Sequence, residues 1–166
     1  SEISSRELLK EYYIEVENVK KLKNIADIEI SKLNSLIGST DNIIFLIDKE
    51  RKLSAFNKSF EKSFEKTFKK TPYIGMPNSE YFDGNSSLFN ENIKKAFLGD
   101  KFTTEIETKI ENNTIHLEVT FNPVFFNKEI IGVSLFVIDI TTKKLEKKEL
   151  EKAKELAEKA TLEKSI

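Results

Sequence analysis

The chain has 166 residues, with 27 basic and 28 acidic side chains, a formal charge of −1, one histidine and no cysteine. That length supports one domain of ordinary size with some chain to spare. The charge removes any global pull toward nucleic acid or anionic membrane, and the missing thiols exclude disulfides, cysteine nucleophiles, cysteine-ligated metal centres and thiol adducts to a chromophore.

Residues 1–37 contain no Gly or Pro. Counted by heptads, Leu9, Tyr12, Val16, Val19, Lys23, Ala26, Ile30, Leu33 and Ile37 form a seam that is apolar at every position but Lys23. A seam sustained that long predicts a coiled-coil helix, with Lys23 setting register at a cost in stability. Gly38, Ser39, Thr40 and Asp41 end it.

The apolar run Ile43–Ile47, closed by Asp48, and the segment 52–56 read as two strands of a hairpin around the polar turn Lys49-Glu50-Arg51. Asn57 is placed to cap a helix running through Lys70, before Thr71-Pro72. Phe56, Phe60, Phe64 and Phe68 recur every four residues and share one face of it, leaving Lys58, Lys62, Lys66, Lys69 and Lys70 as its wet side rather than a nucleic-acid groove. Gly75, Pro77, Asn78, Asp83, Gly84 and Asn85 break up a loop-rich stretch, and a helix over 88–98 ends at Gly99.

Two alternating strands follow, 102–110 and 114–121, joined by a turn at Asn112-Asn113. After a turn at Asn127-Lys128, residues 130–140 are apolar on both faces, the pattern of a central strand covered on each side. Residues 141–166 form a Glu/Lys-rich helical pattern without Gly or Pro. Short connections make the strands antiparallel, so the class is α+β. The longest apolar runs fall far short of the ~20 residues of a spanning helix, and no secretory signal pattern is present.

This order resembles a PAS domain. Ile43 to Asp48 followed by Asn57-Lys58-Ser59-Phe60 resembles the opening strands and their Asn-x-x-Phe helix start; Tyr73-Ile74-Gly75-Met76 resembles the glycine turn that follows; and residues 132–141 resemble the last strand with its closing Asp-Ile-Thr junction. The resemblance covers about residues 33 to 145 and implies a five-stranded antiparallel sheet with short helices on one face, flanked here by long N- and C-terminal coiled-coil helices. The division it implies is an N-terminal coiled-coil helix over 1–38, a PAS domain over 39–140 and a C-terminal signalling helix over 141–166. Residues 152–165 are similar to the linker that precedes the dimerisation helix of sensor histidine kinases, and the chain reads as a fragment excised from such a parent.

Five glycines scattered along the chain make no phosphate-binding loop, and one histidine without cysteine makes no nucleophile–base pair. No catalytic or metal-ligating residue is nominated, and the fragment is expected not to be an enzyme. His116, the single candidate haem ligand, alternates with core-facing Ile115 and Leu117 and so falls on the other face of its strand. Haem is therefore disfavoured, and the lack of cysteine and tryptophan disfavours flavin. Phe45, Phe56, Phe60, Phe64 and Ile74 either line a small apolar pocket for an unidentified ligand or simply fill the core, and filling is favoured. No cofactor is expected.

Asp139 and Thr141 are the residues placed beyond packing, at the joint between the last strand and the C-terminal helix. The reading that follows is a PAS sensing and relay module of a two-component histidine kinase. It forms a homodimer through its helices and passes a conformational change through the Asp-Ile-Thr junction to downstream kinase domains. Leu150, Ala153, Ala157 and Ala160 keep seam spacing in the last helix while Leu145, Leu156 and Leu162 lie off it, so two seams compete there. The alternatives are a ligand-free dimerisation spacer and a PAS sensor of another effector such as a diguanylate cyclase. The expected setting is cytoplasmic, whether or not the parent is membrane-anchored, with no nucleic-acid or membrane contact by the fragment itself.

Overall fold

The computed structural model describes residues 4–81 and 87–164. The expected loop breakers Asp83, Gly84 and Asn85 lie outside the described residues. The chain divides into two compact units, Ser1–Thr40 and Asp41–Ile166.

The first unit is one helix, α1 (Ser5–Gly38). Ser4 starts it in an extended conformation, its hydroxyl accepting the Glu7 N–H, and Glu7 adds a carboxylate near the positive end of the helix dipole. At 34 residues the helix is about 51 Å long. No α1 residue is buried. The seam residues Leu9, Tyr12, Val19, Ile30 and Leu33 are exposed, and so are Leu8, Leu22, Ile25 and Leu36 off the seam. The uncovered apolar surface is thus wider than a two-in-seven stripe.

The second unit begins with β1 (Ile43–Asp48) and β2 (Leu53–Phe56). One carboxylate oxygen of Asp48 accepts the N–H groups of Glu50 and Lys52, which closes the hairpin turn while Arg51 takes a left-handed φ of 66°. Lys52 stands outside β2, bridged to Pro77. The helix α2 (Lys58–Phe68) stops two residues short of the expected Lys70, because Lys69 turns left-handed at φ 57° and its N–H closes the last turn on Glu65. A short helix α3 (Asn78–Tyr81) and α4 (Ser87–Phe97) follow, and Gly99 at φ 107° makes the exit from α4 that other residues resist.

The remaining strands are β3 (Phe102–Ile110), β4 (Asn113–Phe126) and β5 (Glu129–Asp139). The β3–β4 turn falls on Glu111-Asn112, one residue earlier than expected, since Ile110 pairs with Asn113 and leaves a two-residue loop. Both turn residues have positive φ, as do Asn127 and Lys128 in the β4–β5 turn, the twist that suits two-residue hairpins. The last helix is α5 (Thr141–Lys164).

All five strands pair antiparallel in the order β2-β1-β5-β4-β3, so β5 is central. Val133, Leu135 and Val137 of β5 are buried on the inner face with Phe45, Ile47, Val119 and Phe121. Phe60 and Phe64 of α2 and Phe89, Ile93 and Ala96 of α4 complete that core. The outer face departs from the expectation of full cover, as Phe136 and Ile138 are only half-buried there. Gly132 lies where β5 passes β1, and a β-carbon on it would collide with the Ile47 carbonyl oxygen. Among the described residues no helix is long and apolar enough to cross a membrane.

Candidate functional site

At the end of β5 the sheet and α5 are joined by side-chain hydrogen bonds. The Asp139 carboxylate accepts the Thr141 N–H at 2.9 Å and the Thr141 hydroxyl at 2.6 Å through the same oxygen. The Thr141 hydroxyl oxygen in turn accepts the backbone N–H of His116 on β4 at 2.9 Å. The His116 carbonyl accepts the Ile140 N–H at 2.9 Å, and the Ile140 carbonyl accepts the Lys144 N–H to start the helix. The β4–β5 ladder otherwise ends at the Leu117–Asp139 pair. Thr141 extends it by one step with a side-chain oxygen in place of a backbone carbonyl, so the first residue of α5 is still attached to the sheet.

A second tie runs to the edge strand. Lys144 of α5 pairs with Glu105 of β3, and Glu105 stands directly across from Glu118 of β4. Two carboxylates in register repel, and the lysine relieves this. The Glu105 carboxyl is held below its ordinary range chiefly by the hydrogen bond from Lys144; partial desolvation opposes this, while the charges of Lys144, His116 and Lys147 add to it. The pair is exposed and therefore weak. Between β4 and α5 lies an open groove of about 440 Å³, with Thr114 and His116 on one wall and Lys144, Lys147 and Lys148 on the other. His116 thus lies outside the core, at the joint. Among the described residues no cluster of three or more His, Asp or Glu side chains is placed to hold a metal.

The candidate pocket residues are partly brought together. Phe45 of β1 meets Phe60 of α2 with ring centroids 4.8 Å apart, and Phe60 meets Phe56 at 5.5 Å and Phe64 at 5.8 Å. These rings touch one another in series. Ile74 is elsewhere, 62% exposed, and Met76 takes the inner place at 1%. Gly75, at φ 90°, donates to the Leu53 carbonyl and the Met76 carbonyl accepts the Leu53 N–H, which turns Met76 inward and Ile74 out.

Two residues do more than their sequence positions declare. Asn57 is a helix cap by position, and its side-chain oxygen does accept the Phe60 N–H. The same oxygen accepts the Ile44 N–H, and the amide nitrogen donates to the Asn42 carbonyl, so one buried side chain ties β1 to α2. Asn92 is buried on the inner face of α4, and among the described residues its amide nitrogen meets no acceptor. Its spacing three, one and four residues from Phe89, Ile93 and Ala96 was the available signal, since that is an apolar slot.

No family model matches the sequence, and no curated protein does. Solved structures do. A PAS domain from Colwellia psychrerythraea superposes with a TM-score of 0.54 at 18% identity, over 68% of this chain and 98% of that one. The chain has a PAS fold. The PAS domain of Bordetella pertussis BvgS matches it at a TM-score of 0.53 and 19% identity, over 78% of this chain and 98% of that one. A phage VqmA, solved as its DPO complex, matches at 0.56 and 14% identity, over 78% of this chain and 62% of that one. Against this PAS frame, Asp139 closes the last strand, Thr141 opens α5, and the phenylalanine cluster lies between the sheet and α2.

Proposed function

We propose that this chain is the sensing and relay module of a two-component sensor histidine kinase, working without catalysis of its own. The observation that carries the reading is the Thr141–His116 hydrogen bond. Through it α5 hangs from β4 as well as from β5, and Lys144 adds an attachment to β3. A displacement of one of these strands against another therefore changes the start of α5, and a gap of a few kcal/mol between two helix positions is enough for a switch.

The kinase parent is supported by the resemblance of residues 152–165 to a kinase linker, and its cytoplasmic setting goes with that parent. A second copy of the chain is the partner that the α1 seam fits; on α5, Leu150 of one seam and Leu156 and Leu162 of the other are likewise exposed. The input is a small, mainly apolar molecule in the PAS core; the solved complex of VqmA with DPO is a precedent on this fold. The test is Thr141→Val in the full-length parent, read as autophosphorylation with dimerisation monitored in parallel. A relay changes kinase output while the dimer persists. Unchanged output would assign the chain to the spacer class, and a cyclase or other effector downstream would replace the kinase.

A further inference from the structure

Asn92 is 6% exposed, and its amide nitrogen is fully enclosed without a hydrogen-bond acceptor among the described residues. Its neighbours on the inner face of α4 are Phe89, Ile93 and Ala96, all buried. That face packs on β4 and β5, the two strands that hold Thr141. A leucine would fit the helical pattern of this stripe and bury no polar group. An enclosed amide nitrogen with no acceptor carries the full loss of its hydration, so a stable native structure ordinarily avoids one. Ala96, four residues on and directly beside Asn92 along the helix, presents the smallest side chain of the stripe. The phenylalanines under α2 close the other part of the core by ring contacts.

We propose that Asn92 is the specificity-determining residue for the input molecule, a small neutral compound that offers one hydrogen-bond acceptor, such as a ketone, to the Asn92 amide beneath α4. This rests on the sensing reading above and names its ligand class. The acceptor is neutral because Phe89, Ile93 and Ala96, the neighbours of Asn92 on this helix face, are apolar and supply no countercharge. The ligand is small because the residues around the amide are already packed against the sheet.

The experiment uses cyclopentanone and cyclopentane as probes, which share a ring and differ in the carbonyl oxygen. In ¹H–¹⁵N spectra of the whole chain, cyclopentanone is expected to shift the Asn92 side-chain amide pair saturably, and cyclopentane to leave that pair in place. Asn92→Leu should weaken cyclopentanone binding at least about tenfold, the worth of one net hydrogen bond, and should raise the Tm. Three results would each overturn the proposal: no saturable shift up to the solubility of cyclopentanone, equal binding by Asn92→Leu, or a lowered Tm in that variant. A long-lived water on the amide that cyclopentanone does not displace would overturn it as well. Thr141→Val lies outside this contact and tests the relay separately. Ketone binding that survives failure of the relay sustains the site, whereas loss of the ketone effect with the relay intact removes the ligand class alone.

Discussion

Thr141 and His116 are 25 positions apart in the chain, yet the hydroxyl of one accepts the backbone N–H of the other at 2.9 Å. The same hydroxyl donates to Asp139 at 2.6 Å, so one side chain spends both its donor and an acceptor on joining two strands to a helix. This geometry makes the strand-to-helix joint a fixed coupling rather than a hinge.

Thr141→Val keeps the shape of the side chain and deletes both bonds of its hydroxyl. It should cost about 1 kcal/mol and expose the His116 N–H, seen as faster amide exchange at that one site. Asp139→Ala should cost a similar amount, and the double variant less than the sum, because both act through one linked pair. Unchanged exchange at His116 would show that the coupling is not made in solution.

The Glu105–Lys144 tie predicts a pH dependence with a definite sign. The Glu105 carboxyl is depressed in the folded chain, so its contribution is present above the ordinary value of 4.5 and is lost as pH falls through the lower folded value. The difference in Tm between the native chain and Glu105→Gln should therefore be largest at neutral pH and vanish in acid. It should also shrink with added salt, as an exposed pair requires. A difference independent of both pH and salt would remove Lys144 from the joint.

Gly132→Ala should be costly although it adds one carbon. The new atom meets the Ile47 backbone carbonyl rather than a side chain that can move aside. Forcing β1 and β5 apart should destabilise the sheet by about 3 kcal/mol, measured by urea unfolding. A near-native midpoint would mean the strands relax more easily than their pairing indicates.

Phe60 touches Phe45, Phe56 and Phe64. Phe60→Ala should cost about 4 kcal/mol through the void it leaves. Phe68→Ala, on a half-buried residue at the end of the same stripe, should cost clearly less. Equal losses would contradict a core centred on Phe60.

The α1 seam predicts self-association. Val19→Asp puts a charge at a seam position that is exposed in the single chain, so it should leave the fold intact and shift sedimentation toward monomer. Sedimentation unchanged by the substitution would place any association elsewhere.

The sequence by itself determined the elements and most of the frame. Heptads without Gly or Pro make α1, period-two alternation makes β3 and β4, and a run apolar on both faces puts β5 at the centre, because each pattern matches one backbone geometry. It also marked Asp139 and Thr141 as a joint. Only the tertiary structure decided what the joint holds: the partner of Thr141 is a backbone N–H on another strand, which no side-chain pattern encodes. Likewise Ile74 and Met76 are both apolar and two residues apart, and the pairing of residues 75 and 76 with Leu53 alone decides which one enters the core. The register of β3 on β4 likewise places the turn at Glu111-Asn112, and the packing of α4 on the sheet encloses the Asn92 amide nitrogen. Local patterns set what each segment prefers, and long-range pairing sets where its atoms end up.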